Sequence, residues 1–220
     1  MSLTEEEFLH TYDSSEFQKP SVAVDLILFT VREEQLQVLL TERTQYPFIG
    51  KKALPGVFVQ MHETLDEAAQ RALYQKTGLH DIYFEQLYTW GNPERDPRMR
   101  IISVSYYALV PESQIPESER EKFFPVEEVL QRSDLAFDHQ EMIAYGRERI
   151  RNKVNYTDIA FSLVPEEFTL PQLQKIYEIL LGQNLYKANF RKKIADKIQP
   201  TEKLTSGNKH RPSRIYRKKV

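Results

Sequence analysis

The chain has 220 residues, enough for two modest domains, and no cysteine, which excludes a disulfide framework and a thiolate zinc site. No stretch approaches the roughly 20 apolar residues that cross a bilayer. The polar N-terminal residues lack the apolar run of a secretion signal, so a cytoplasmic protein without membrane contact is expected. The net charge is only −2, but it is unevenly spread: of 30 Lys/Arg and 32 Asp/Glu, 12 and 2 fall in residues 183–220, so the first 182 residues carry 18 and 30. An acidic part followed by a basic one suggests a C-terminal domain that faces nucleic acid. A solvated basic tail would carry the same charge, but apolar residues are interleaved here at helical spacing.

Residues 1–18 read as an extension. Residues 21–31 follow as a strand with Val22, Val24, Leu26 and Leu28 on one side. Glu33, Glu34 and Gln35 turn it, and residues 36–40 return. Residues 43–52 form a loop with Pro47 and Gly50. Thr64 and Glu67 then make a T-x-x-E capping box, so a helix starts near Leu65. Leu65, Ala68, Ala69, Ala72 and Leu73 fall on one apolar face of it, and Gly78 suits its C-terminal cap. Residues 82–90 and 100–110 read as strands around a turn-rich loop, 91–98. A short helix starts at Pro125 and a longer one spans 139–153. Residues 154–167 are too apolar for a loose linker and are expected to pack as a short helical joint.

The C-terminal third has its own pattern. Thr169 is a plausible N-cap, with Pro171 in the first turn, and Leu173, Ile176, Tyr177, Leu180 and Leu181 make one apolar face. Gly182, Gln183 and Asn184 turn the chain into a second helix with Tyr186, Phe190, Ile194 and Ile198 at one-turn spacing. Its other surface carries Lys187, Asn189, Arg191, Lys192, Lys193 and Lys197. Two short helices around a glycine turn, the second basic, make a helix-turn-helix. Residues 204–206 and 213–218, with a tip at 207–212, read as a two-stranded wing.

The segment from Leu54-Pro55-Gly56 through Glu63 and Arg71 to Gly78-Leu79 resembles the Nudix box, G-x5-E-x7-R-E-U-x-E-E-x-G-U with U apolar. The spacing holds from Val57 to Leu79, but the three acidic positions of the helix read Ala72, Gln75 and Lys76. Those positions share a face. Magnesium takes hard oxygen ligands, typically carboxylates with substrate phosphate. Alanine offers none, glutamine a neutral one and lysine a positive charge. The loop 90–98, the strand ending Ser105-Tyr106-Tyr107-Ala108-Leu109 and the loop 45–51 resemble one subgroup, the Nudix-related transcriptional regulators or NrtR family. Asn189-Phe190-Arg191-Lys192-Lys193 and Arg211-Pro212-Ser213-Arg214-Ile215-Tyr216 are similar to that family's recognition helix and wing strand.

The resemblance implies an α+β chain: a Nudix α/β/α sandwich with a mixed sheet over 19–152, then a winged helix over 153–220. It implies a ligand-responsive DNA-binding regulator, repressor or activator, whose degenerate pocket senses ADP-ribose, a nucleotide sugar or a sugar phosphate, with no catalytic residue, metal or cofactor. The ligand set expected is Arg43, Glu63, Arg71, Lys76, Arg95 and Arg98. Glu63 and Arg71 need only tie loop to helix, and Lys76 either neutralises a phosphate or pairs with Glu63. The DNA set expected is Lys187, Asn189, Arg191, Lys192, Lys193, Lys209, Arg211 and Arg214. Lysine and arginine mainly hold phosphates there, while Asn189 or Arg191 reads base edges. A homodimer on a palindromic duplex is the expected assembly. An active Nudix hydrolase of ADP-ribose-like compounds and an RNA-binding protein are the alternatives.

Overall fold

The computed structural model of the protein describes residues 4–80, 82–205 and 212–219. Helix α1 (Glu5–Thr11) lies in the segment read as an extension. It is nucleated by a complete capping box, Thr4 with Glu7, and buries none of its residues. Twelve residues of strand β1 (Ser21–Arg32) then form the centre of the main sheet. A turn with Glu33 and Glu34 in left-handed backbone (φ 51° and 59°) returns the chain as β2 (Gln35–Leu39). Strands β3 (Thr41–Glu42) and β4 (Lys52–Ala53) pair with each other, so the expected loop is the tip of a short hairpin. Strand β5 (Gly56–Phe58) pairs with β1 and leads through residues 59–64 to helix α2 (Leu65–Thr77). The capping box Thr64–Glu67 and a left-handed Gly78 (φ 68°) bound that helix as its residues predict.

Strands β6 (Phe84–Trp90) and β7 (Ile101–Leu109) follow, then β8 (Phe123–Pro125), the single turn α3 (Val126–Val129) and α4 (His139–Lys153). The sheet order is β6-β7-β1-β2-β8, with β7 parallel to β1 and the other pairings antiparallel. Strand alternation sends β1 side chains to two cores. Val24, Leu26 and Leu28 meet Ala68, Ala69 and Leu73 of α2 on one face. Ile27 and Phe29 meet Met142, Ile143 and Ile150 of α4 on the other. Helix α4 comes close because residue 146 is glycine: a Cβ there would lie 3.2 Å from the Phe29 ring. This is a helix–sheet–helix sandwich with a mixed sheet.

The joint after α4 contains a 3-10 turn (Ile159–Leu163) whose Ile159, Ala160, Phe161 and Leu163 are buried. These side chains run the α4-side core into the C-terminal unit without a break, reaching Phe168, Leu173, Tyr177 and Phe190. That unit comprises β9 (Phe168–Thr169), α5 (Leu170–Leu181), α6 (Lys187–Ile194), β10 (Ile198–Leu204) and β11 (Arg214–Lys218), with strand order β10-β11-β9. The α5 N-terminus carries the expected Thr169 cap and Pro171, closed by Gln172 into a capping box, and left-handed Gly182 (φ 67°) ends the helix. Glu178 accepts a hydrogen bond from the Leu185 N–H and Gln174 donates to the Leu185 carbonyl, both at 2.9 Å, so α5 side chains hold the turn into α6.

Two expectations are corrected here. Tyr186 is not core: it precedes the first turn of α6, outside the helical repeat, and is 83% exposed. Ile198 is buried from a strand rather than from the helix. Pro200 cannot donate a helical hydrogen bond; the chain instead leaves α6 after Ile194, and Pro200 sits on edge strand β10, where a missing N–H is tolerated. The wing strand therefore begins six residues earlier than expected, and β9 makes the sheet three-stranded. Among the described residues, no helix is long and apolar enough to cross a membrane.

Candidate functional site

The main sheet, the loop before α2, the 91–98 loop and the start of α4 enclose a cavity of about 320 Å³. Four residues expected at a ligand site line it together: Arg43, Lys76, Arg95 and Arg98. Arg95 forms the floor. Its guanidinium donates to both oxygens of Asp138 at 2.9 and 2.7 Å and lies 3.6 Å from Asp25. Burial is the largest single influence and would depress this guanidinium, but the Asp138 hydrogen bonds together with the charges of Asp138, Asp25 and Asp96 outweigh it and hold Arg95 above its ordinary value. Arg98 makes a two-pronged pair with Asp96 at 3.0 and 2.8 Å and stays part exposed at the rim. Asp96 is lowered: burial is the largest single influence and would raise it, but the Arg98 hydrogen bonds together with the Arg98 and Arg95 charges prevail.

Arg43 is held differently. Its Nε donates to the Pro47 carbonyl at 2.7 Å and its plane lies 4.7 Å from the Phe137 ring centroid. Burial and the neighbouring Arg98 charge lower it. Phe137 sits in left-handed backbone (φ 52°) and meets the ring of Phe48, also left-handed (φ 63°), edge-on at 4.9 Å. Non-glycine residues in that region mark positions held by their surroundings. The contact fastens the 43–51 loop to the cavity wall.

Residues 25, 96 and 137–139 were missed in the sequence. Asp25 interrupts an apolar strand, and a buried carboxylate needs partners; that was the available signal. Ser103 donates to it, Arg95 lies beside it, and His139 Nε2 is 3.8 Å away. His139 Nδ1 accepts from the Leu54 N–H at 2.9 Å, which places its proton on Nε2. Full burial lowers the imidazole, so it is neutral. Gly56 of the Leu-Pro-Gly segment is needed for close approach: a Cβ there would lie 2.2 Å from Asp25 Oδ1.

Glu63 and Arg71 do not line the cavity. Arg71 binds both Glu63 oxygens and the Phe58 carbonyl, and Glu63 also accepts from the Gln60 N–H, so the pair ties loop to helix. Of the three degenerate positions, Ala72 is fully buried, Gln75 lines a neighbouring groove, and Lys76 lines both that groove and the cavity. The donors at these positions do not fit a metal. Among the described residues, no three His, Cys, Asp or Glu side chains are arranged to hold one.

On α6, Phe190 and Ile194 point inward, Phe190 edge-on to Tyr177 at 5.3 Å, while Lys187, Asn189, Arg191, Lys192 and Lys193 are exposed. Arg214 is exposed on β11; Lys209 and Arg211 lie outside the described residues. The basic residues divide into two sets. Lys197 and Lys218 pair with Asp158, and Lys203 and Arg217 pair with Glu167. Lys187, Arg191, Lys192, Lys193 and Arg214 have no carboxylate at ion-pair distance among the described residues. Their charge is available to an outside polyanion.

The molecule is thus a pocketed Nudix sandwich joined to a winged helix with a basic second helix. Residues 19–146 match the NUDIX domain, and residues 160–218 match the NrtR DNA-binding winged helix domain. The chain is 39% identical to the ADPR responsive transcriptional repressor NtrR of Acinetobacter baylyi, over 97% of this chain and 88% of that protein. A shorter match, 35% identical over 56% of this chain and 71% of the relative, is to an ADP-ribose pyrophosphatase of Methanocaldococcus jannaschii. The crystal structure of Shewanella oneidensis NrtR complexed with a 27mer DNA superposes with a TM-score of 0.81 at 36% identity, covering 90% of this chain and 93% of that one. The Nudix domain of the same protein complexed with ADP ribose superposes with a TM-score of 0.58 at 38% identity, over 67% of this chain and 99% of that one. The chain belongs to the NrtR family.

Proposed function

We propose that this protein is an ADP-ribose-responsive transcriptional repressor that binds its effector without hydrolysing it. One observation carries the reading. A cavity lined by Arg43, Lys76, Arg95 and Arg98 stands in a frame whose metal positions are Ala72, Gln75 and Lys76, on the same chain as a winged helix whose basic face has no ion pair among the described residues. The Acinetobacter and Shewanella relatives named above supply the effector class and the sign of regulation. Arg43, Lys76, Arg95 and Arg98 contact the ligand. Lys187, Asn189, Arg191, Lys192, Lys193 and Arg214 contact the duplex, together with Lys209 and Arg211. A homodimer presents two such heads to a palindromic operator.

Hydrolysis would need a divalent cation to polarise the diphosphate, and no carboxylate stands at the three box positions to hold it. The test is fluorescence anisotropy of a labelled duplex from the gene's own upstream region, titrated with protein with and without ADP-ribose. ADP-ribose should release the duplex and remain intact when incubated with protein and magnesium. A duplex affinity indifferent to ADP-ribose, or steady conversion of ADP-ribose to AMP and ribose phosphate, would sink the reading.

A further inference from the structure

We infer that Lys76, with Arg43, supplies the positive charge that a divalent cation would bring to a diphosphate in this cavity, so that effector binding needs no metal. The inference rests on the ADP-ribose reading above and deepens it.

Two of the cavity's four cations are already neutralised by carboxylates. Arg95 faces Asp138 and Asp25, and Arg98 faces Asp96. Arg43 gives its hydrogen bonds to the carbonyls of Pro47 and Gln45, and no carboxylate lies at ion-pair distance from it among the described residues, although the more distant Asp96 and Asp25 still act on it. Lys76 has no carboxylate at ion-pair distance among the described residues. Glu63 pairs with Arg71 and accepts from the Gln60 N–H, and it does not stand at ion-pair distance from Lys76. Two cations without an ion-pair partner among the described residues therefore remain in one cavity, one on the loop 43–51 and one on the last turn of α2.

Position matters as much as charge. Lys76 occupies one of the three helix positions where the Nudix box has a carboxylate, on the ridge between the cavity and the adjoining groove. An ammonium there repels a divalent ion and attracts the phosphate oxygens that such an ion would bridge. Lysine is a compact point charge with rotatable donors, which suits a diphosphate whose oxygens lie on several sides. A phosphate here would thus be ion-paired directly to the protein.

Calorimetric titration of the full chain with ADP-ribose, once in EDTA and once in magnesium, tests this. Wild type should bind with the same affinity in both, within about twofold. Lys76→Ala should bind about tenfold more weakly, which is about 1.4 kcal/mol, and Lys76→Arg should keep most of the affinity. Inorganic pyrophosphate in EDTA should compete with ADP-ribose on wild type. Because Lys76 is exposed, Lys76→Ala should melt like wild type, which separates lost charge from lost fold. Wild-type binding that vanishes in EDTA, or Lys76→Ala binding at wild-type affinity, overturns the Lys76 assignment and leaves the effector reading standing. Absence of wild-type binding in both buffers overturns the effector reading and this inference together.

Discussion

Arg95 and Asp138 are joined by two hydrogen bonds on the cavity floor, and Asp138 is the residue on which α4 begins. Five residues beyond the end of that helix, Asp158 pairs with Lys197 at 2.8 Å and Lys218 at 3.3 Å in the winged helix. One rigid element therefore has a carboxylate anchored in the ligand cavity before it and another anchored in the DNA-reading unit after it. Between them, α4 and the buried 3-10 turn belong to a single apolar core. A ligand that draws on Arg95 acts on the first anchor. Two-state behaviour of this element is a hypothesis that Asp158→Asn tests.

Arg95→Met should lower stability by about 3 kcal/mol. The Arg95 side chain is only 4% exposed, and removing one partner of a buried pair strands the other charge. Urea denaturation of the full chain measures it. A loss under 1 kcal/mol would show that solvent already compensates Asp138.

Asp158→Asn should leave stability within about 1 kcal/mol, because its pairs are part exposed. Its effect is expected on coupling. The ratio of duplex affinities with and without ADP-ribose should shrink, while ADP-ribose affinity of the DNA-free protein stays as it was. Anisotropy titrations at several ADP-ribose concentrations give that ratio, and an unchanged ratio removes Asp158 from the path.

Gly56→Ala should cost about 1–3 kcal/mol through overpacking. Its Cβ falls 2.2 Å from Asp25 Oδ1 and 3.2 Å from the Val24 carbonyl oxygen, so Asp25 must leave its place beside Ser103 and Arg95. ADP-ribose affinity should fall with the melting temperature. Full affinity in this variant would mean that Asp25 does not shape the cavity.

His139 makes stability depend on pH. Its folded value is depressed by burial, so the unfolded chain binds the proton more readily. The stability from keeping it neutral is complete above its unfolded value of about 6.5 and declines as pH falls through the folded value. Asp96 and Asp158, both lowered in the fold, add losses of the same sign only at more acidic pH, below the ordinary carboxylate value near 3.9. Urea midpoints between pH 7 and pH 5 should fall for wild type and stay flatter for His139→Gln. Equal slopes would place the titration elsewhere.

Arg191→Ala should weaken duplex binding by about 1–3 kcal/mol, and Lys192→Ala should weaken all duplexes alike while reducing the salt slope by about 1. Neither should change ADP-ribose affinity, since α6 does not line the cavity. An equal fall in ligand affinity would break the division of labour between the two parts.

The sequence by itself determined the local structure and the family. Capping boxes at Thr64 and Thr169, left-handed glycines at 78 and 182 and the apolar faces of α2 and α5 depend on neighbours within a turn or two, so they are legible along the chain. The altered box positions 72, 75 and 76 were legible for the same reason. What only the tertiary structure decided is which charges meet. Asp25, Asp138 and His139 are separated from Arg95 by tens of residues, and pairing β1 beside β7 with α4 packed across them brings all four to one floor. The same holds for the basic tail. Counting charges shows twelve basic residues after residue 182, but only folding sets Lys197, Lys203, Arg217 and Lys218 against Asp158 and Glu167 and leaves the α6 face without an ion pair among the described residues. Charge is a property of a residue, whereas compensation is a property of the space around it, and that space is made by contacts remote in sequence.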